Sequence, residues 1–357
     1  MGPVLVLVDR DGGSGAVHAS APRLLTLARR LGEPVAVLPH PAGAAEVRRL
    51  ARYGAERVCV VEAPETPDAD PVALAVAAAG ELAWQMGASV VLTASTRTGR
   101  EAAARVAVRL GAGIVTAASD VRPGPDGPVT VQEVCGGAYR VESVVRGQAA
   151  VIAVDTGSVP ADAAADPVPG QVEESAVERL FVRLPEAARR ARVVARTRKP
   201  ACRPAVSCAS VVVAGGRGVG SAAGFGLIEQ VADALGAAVG GTHGAADLGW
   251  CPHDALIGQT GAVVHPKLYV ACGISGSVHH RAGMQHASTI VAIDKDPSAP
   301  IFRIADVGIV GDLHQVLPAL LNELARRRAD MQADAAPAGT PDPTGESTPD
   351  TAPVAAD

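Results

Sequence analysis

The chain has 357 residues, a formal net charge of −5 and 48% hydrophobic residues, with aromatics at only 2%. That length gives room for two domains with sizeable cores, and an acidic balance without a basic stripe argues against nucleic acid as a partner. A core made almost wholly of Val, Ala and Leu needs layered strands and small-residue helix contacts, which suits an α/β architecture. The six cysteines (Cys59, Cys135, Cys202, Cys208, Cys251, Cys272) are scattered with no Cys-x-x-Cys pair, and read as reduced, mostly buried thiols of a cytoplasmic protein. The apolar run Val4–Val8 is too short for an export signal, and no run reaches the length of a membrane span.

Taken in order, Val4–Val8 is a continuous apolar run, as in a strand covered on both faces. Asp9–Gly15 is a glycine-rich loop, and Ala21–Leu31 has helical spacing that stops at Gly32. Strands at Pro34–Leu38, Arg57–Val61 and Ser89–Thr93 alternate with helices at Ala44–Tyr53, Pro71–Met86 and Arg100–Leu110. This alternation predicts a parallel-sheet α/β domain over residues 1–157. After Gly113 the pattern changes: Val129–Val134, Ala138–Val145 and Ala150–Val154 are short runs between glycine-containing turns, predicting antiparallel additions to the same sheet. Residues 158–205 read as linker and edge segments, with Ser158–Gly170 rich in Pro, Ala and Asp. Beyond it, Arg179, Arg183, Arg189, Arg190 and Arg192 read as a solvated face.

A second domain is predicted over residues 206–329. It opens with a strand at Ser210–Val213, followed by Gly215-Gly216-Arg217-Gly218-Val219-Gly220, a helix at Phe225–Leu235 and a strand at Ala237–Gly240. The glycines of that loop are not spaced Gly-x-Gly-x-x-Gly, so a simple strand-to-helix turn competes with a nucleotide loop; Arg217 favours the second, since a guanidinium can clamp a phosphate. Asp312 reads as an N-cap for an amphipathic helix at Leu313–Arg328, and 330–357, nearly free of large apolar residues, as a disordered tail.

Between them lies the stretch with most chemistry. The apolar run Leu268–Cys272 ends in Gly273-Ile274-Ser275-Gly276, a helix-like segment runs from Ser277 to Gly283, and a second apolar run, Thr289–Ile293, closes on Asp294. Gly276 to Asp294 is 18 residues, close to the roughly 20 that separate a dinucleotide-binding turn from its ribose carboxylate. Ser275, Gly276 and Ser277 then sit where a pyrophosphate is favoured by free amides, though a serine there also serves as a helix cap. Gly258-Gln259-Thr260-Gly261 is, by itself, an ordinary turn. His279, His280 and Arg281 form a polar cluster that is equally a helix surface. His243, Cys251 and His253 lack a fourth ligand and match no zinc spacing.

The order of short motifs in this region resembles the FAD-binding domain of the alpha subunit of electron transfer flavoproteins. Gly258-Gln259-Thr260-Gly261, Gly273-Ile274-Ser275-Gly276, Ala282-Gly283-Met284, Lys295-Asp296-Pro297, Ala299-Pro300-Ile301-Phe302 and Gly311-Asp312-Leu313 carry the likeness. With Gly215-Gly216-Arg217-Gly218 and Ala245-Ala246-Asp247 upstream, it covers about Val211 to Leu320, and the N-terminal domain matches mainly in pattern, as at Arg105–Gly113. The resemblance implies a Rossmann-like C-terminal domain holding FAD and an N-terminal domain docking a beta subunit that in the family carries AMP. Such a carrier takes electrons from flavin dehydrogenases, commonly acyl-CoA dehydrogenases, to a quinone reductase, and turns over no substrate of its own. Gln259, Thr260 and Gly261 would run beside the flavin ring, His280 would lie near its C2 carbonyl, and Asp312 near the adenosine. The family usually has Ser-Arg-Ala where this chain has Thr242-His243-Gly244, and asparagine where it has Asp294. A histidine in place of an arginine is shorter and titrates near neutrality, which implies a lowered or pH-dependent flavin potential. Two rivals remain at this point: an enzyme holding NAD on the same device, such as a dehydrogenase or deacylase, and a diverged copy that no longer uses flavin.

Overall fold

The structure, a computed structural model, describes residues 2–10, 15–164, 177–195 and 203–334. The first domain comprises β1 (Pro3–Leu7), α1 (Ser20–Leu31), β2 (Glu33–Leu38), α2 (Ala44–Arg52), β3 (Arg57–Glu62), α3 (Pro71–Met86), β4 (Val90–Ala94) and α4 (Arg97–Leu110). It continues through β5 (Gly113–Arg122), β6 (Val129–Val134), β7 (Tyr139–Val144), β8 (Ala150–Val154), β9 (Val177–Phe181) and the short α5 (Glu186–Arg189). The strands form one nine-stranded sheet in the order β7-β6-β5-β8-β4-β1-β2-β3-β9. The apolar runs at its centre are buried on both sides: Val4 and Val6 face the core under α1 and α2, while Leu5 and Leu7 face that under α3 and α4. Helix ends follow local chemistry. Asp70 caps α3 by accepting from the Val72 amide at 3.2 Å, and Thr96 caps α4 through the Gly99 amide at 2.9 Å.

Two details differ from the sequence expectation. Of the three runs after Gly113, β6 and β7 are antiparallel additions, but β8 lies between β4 and β5 and is parallel to both. The reason is composition: Ala150-Val151-Ile152-Ala153-Val154 is buried throughout, and such a run is stable only where helices cover both faces. The strand β5 has no counterpart in the expectation; it starts directly after the α4 stop and is bent by a register shift near Ala117, whose φ is 53°. At the other edge, β9 arises from the linker-and-edge stretch and pairs with β3, with Arg57 donating to both carboxylate oxygens of Glu178 at 2.7 Å. The arginines in and after it form exposed ion pairs, Arg179 with Glu62 and Arg183 and Arg189 with Glu65, as a solvated face does. The Ser158–Gly170 linker falls within the described residues only up to Ala164.

The second domain comprises β10 (Val211–Gly215), α6 (Ala222–Leu235), β11 (Ala238–Gly241), α7 (His243–Asp247), β12 (Leu268–Cys272), α8 (Val278–Met284), β13 (Ile290–Asp294), β14 (Val307–Val310) and α9 (Leu313–Asp334). Its five strands are all parallel in the order β11-β10-β12-β13-β14. The helix α9 continues to Asp334, six residues past the expected end at Arg328, and the rest of the tail lies outside the described residues. Strand order reverses between β10 and β12, and in open parallel sheets ligands bind at the carboxyl ends of the strands at such a reversal.

The two domains meet through paired imidazoles. His265, 12% exposed, places Nε2 at 3.1 Å from both carboxylate oxygens of Asp155, just beyond β8. Its ring stacks on His286 at a centroid distance of 5.4 Å, and His286 in turn contacts Glu133 of β6 at 3.2 Å.

Candidate cofactor site

The turns that follow β10 and β12 come together at the reversal. The Gly216 amide donates to the Cys272 carbonyl at 3.0 Å and the Gly218 amide to the Gly273 carbonyl at 2.9 Å. The approach leaves no room for side chains: a Cβ on Gly218 would stand 2.7 Å from the Gly273 Cα, and one on Gly273, where φ is +61°, 2.7 Å from the Gly218 carbonyl carbon. The glycine-rich loop is thus more than a passive connection. It turns the strand into a helix and it builds the floor of a cavity.

That cavity has a volume of about 610 Å³ and runs along the carboxyl ends of β10, β12 and β13. Arg217, Thr242, His243, Gln259, Thr260, Ser275, Gly276, Ser277, His279, His280 and Asp294 all line it. Two expected residues do not. Gly261 closes the turn behind the wall, its amide bonded to the Gly258 carbonyl at 3.0 Å. Asp312 is the cap of α9, accepting from the His314 amide at 2.9 Å.

The polar groups are disposed for an elongated anionic ligand. Among the described residues, the amides of Ser275, Gly276 and Ser277 donate to no protein acceptor, and Ser277 makes no side-chain cap on α8. Arg217 also lines the cavity, its side chain passing close to Gly244 of α7, and among the described residues it forms no ion pair. Asp294, at the tip of β13, uses one oxygen to accept from the Asp296 amide at 3.0 Å, which holds the carboxylate in place; among the described residues its other oxygen accepts from no donor. Gln259 and His279 are bonded to each other, side chain to side chain at 2.7 Å and amide to carbonyl at 2.8 Å.

His280 is not a surface histidine: it is 4% exposed, with Nδ1 at 3.1 Å from the Ile257 carbonyl and Nε2 at 2.9 Å from the Tyr269 hydroxyl. Burial pushes its pKa down to about 4, against the smaller opposing pull of the Ile257 carbonyl. A hydrogen bond from the resting ring to a ligand carbonyl thus requires a second proton. Thr242 caps α7 through the Ala245 amide at 3.3 Å, which leaves His243 on the first turn at the cavity rim, 3.4 Å from Asp247. Asp247 is a lining residue that the sequence reading did not single out as a site member; its signal was the four-residue spacing from His243 on a helix.

The chain also matches known proteins over most of its length. Residues 4–180 match the electron transfer flavoprotein domain, and residues 205–285 the electron transfer flavoprotein FAD-binding domain. The chain is 41% identical over 333 residues to the electron transfer flavoprotein subunit alpha of Mycobacterium leprae, covering 92% of this chain and 100% of that protein. It is 43% identical over 332 residues to the subunit of the same name from Mycobacterium tuberculosis, with the same coverage. The corresponding Bacillus subtilis protein is 35% identical over 295 residues, covering 82% of this chain and 87% of its own length. The chain belongs to the electron transfer flavoprotein alpha-subunit family. The family's FAD-binding segment contains both glycine turns, α7 and α8, and so almost the whole lining of the cavity. Asp294 is the one lining residue beyond its end.

Proposed function

We propose that this subunit holds FAD along the cavity, pairs with a beta subunit, and carries electrons from flavin dehydrogenases such as acyl-CoA dehydrogenases to a quinone reductase. The observation that supports it most is that Ser275, Thr260 and His280, drawn from three separate turns and helices, share one trough with Asp294. In this reading the free amides of Ser275 to Ser277 and the Arg217 guanidinium take the pyrophosphate, and the unengaged Asp294 oxygen takes a ribose hydroxyl. Gln259, Thr260 and His279 lie along the ring, and Thr242 and His243 stand at its edge. Gly261 and Asp312 contribute from outside the cavity, by closing a turn and capping a helix. The bound flavin supplies the redox chemistry; the chain binds it, orients it and sets the polarity around it.

Trp84 of α3 is 83% exposed and gives the first domain apolar surface for a partner. Among the described residues, no helix is long and apolar enough to cross a membrane, and the scattered free thiols suit a reducing cytoplasm. The test is the visible spectrum of the chain purified with its beta subunit. Flavin absorption with one FAD released from the cavity of this subunit is the expected result, and a pair that stays colourless when supplied with FAD refutes the reading.

A further inference from the structure

We propose that Tyr269 is a positioning residue of the cofactor site: its hydroxyl holds His280 in the tautomer that ties down the Ile257 carbonyl, and so sets the pose of the Gly258–Gly261 turn. The effect on the ligand rests on the flavin reading of the cavity; the hold on His280 does not.

The direction of each bond follows from what the atoms can do. A carbonyl oxygen only accepts, so the 3.1 Å contact to Ile257 requires the proton on Nδ1. A neutral imidazole has one N–H, so Nε2 is an acceptor and the Tyr269 phenol, 2.9 Å away, donates to it. Burial keeps the ring neutral, which removes the alternative in which both nitrogens donate. Tyr269 is 0% exposed on β12, and His280 is the one polar partner of its hydroxyl among the described residues. A buried hydroxyl is costly unless bonded, so this position is a tyrosine rather than a phenylalanine on account of His280.

The bond matters to the cavity because of what hangs on Ile257. Its amide donates to the Gly241 carbonyl at 3.0 Å, which anchors one end of the turn to β11. From there Gly258 bonds Ala262, and the Gln259 amide bonds the His279 carbonyl. The Ile257 peptide is thus clamped between β11 and α8, and His280 supplies the clamp from the α8 side. Without the hydroxyl, either Nε2 is a buried lone pair with no partner, or the ring takes the other tautomer and leaves the Ile257 carbonyl unpaired. Each costs more than the bond itself contributes. The turn that carries Gln259 and Thr260 is what can move in response.

The experiment uses the alpha–beta pair with ¹⁵N-histidine labelling. In the wild type, long-range ¹⁵N–¹H correlation reads His280 as the Nδ1–H form; in Tyr269→Phe that form is lost or mixed, FAD affinity falls about tenfold, and the flavin visible band shifts. Val270→Ala, a core truncation on the same strand, lowers stability but leaves the tautomer and the band unchanged. A Tyr269→Phe protein with wild-type tautomer, affinity and band overturns the proposal. If Tyr269→Phe does not fold, His280→Asn and His280→Gln decide it: the asparagine amide stands where Nδ1–H stood, so it should bind FAD more tightly than the glutamine variant, and the reverse order overturns the proposal. A colourless wild-type pair would sink the cofactor reading instead, while the tautomer of the unliganded chain would still show whether Tyr269 sets His280.

Discussion

Substituting alanine for Gly273 tests the joint on which the cavity is built. Two penalties apply there and can be separated by a control. The first is conformational: φ is +61°, a region that costs a residue with a Cβ about 1 kcal/mol. Gly236, after α6, has nearly the same φ of +62° but nothing within 4 Å of the added carbon, so Gly236→Ala carries this penalty alone. The second is contact: at Gly273 the new Cβ meets the Gly218 carbonyl carbon at 2.7 Å and the Val219 nitrogen at 2.8 Å, both rigid backbone. Overpacking of this kind costs about 1–3 kcal/mol. Gly273→Ala should therefore lose about 2–4 kcal/mol in urea unfolding, against about 1 kcal/mol for Gly236→Ala. If the strain is relieved instead by parting the two turns, the amides leave their positions; losing two bonds of about 1 kcal/mol each weakens FAD binding about 30-fold. Calorimetric titration with FAD and urea unfolding of both variants check this. Equal stability losses in the two variants, together with unchanged FAD affinity in Gly273→Ala, would refute the reasoning.

Three other outcomes follow from the geometry. Arg217→Ala removes a cation that forms no ion pair among the described residues, so stability should stay within about 0.5 kcal/mol while FAD affinity falls about tenfold or more, as measured by fluorescence titration. For Asp155, burial raises the pKa, but the bond and charge of His265 outweigh it and the net direction is down. A carboxyl depressed on folding stabilises above its unfolded pKa of about 3.9 and loses that stabilisation as pH falls further. Asp155→Asn should thus cost about 1–2 kcal/mol at pH 7, and the gap to wild type should close below about pH 4 in unfolding experiments run across pH. For His280 the sign is the same and only the pH window differs: its pKa of about 4 in the folded chain lies below the unfolded value of about 6.5. The unfolded chain gains the proton first as pH falls, so stability drops by up to about 3 kcal/mol between those two values. His280→Asn should lack that slope.

The sequence was most informative where composition alone decides the structure. Runs such as Val4–Leu7 and Leu268–Cys272 have one stable place, between helix layers, and they occupy it. The bounds of α3 match the expectation because Asp70, Pro71 and Gly87 mark both ends within the sequence itself. What local pattern could not show was partnership across the chain. The apolar run of β8 marks it as covered on both faces but not which strands it joins, since its partners β4 and β5 both lie earlier in the chain, with Val90 and Gly113 each in register with Ala150. β14, exposed along all four residues, has no apolar alternation to announce it. At the site, the glycine turn and Asp294 were legible by spacing. The burial of His280 was not, because its partners Tyr269 and Ile257 are 11 and 23 positions away and meet it only through the packing of β12 against α8.

The stacked histidines between the domains have a bearing on electron passage. Gly157 comes so close to His265 that a single added carbon would sit 1.8 Å from the ring, which fixes the separation of the two halves at that point. None of Asp155, His265, His286 or Glu133 lines the cavity, yet they tie the domain that carries it to the first domain. Tunnelling between proteins fades steeply with the gap to be crossed. Side chains remote from the cofactor therefore govern how near a docked protein can bring its own redox centre, and substitutions at this hinge would change transfer rates while leaving the flavin's surroundings untouched.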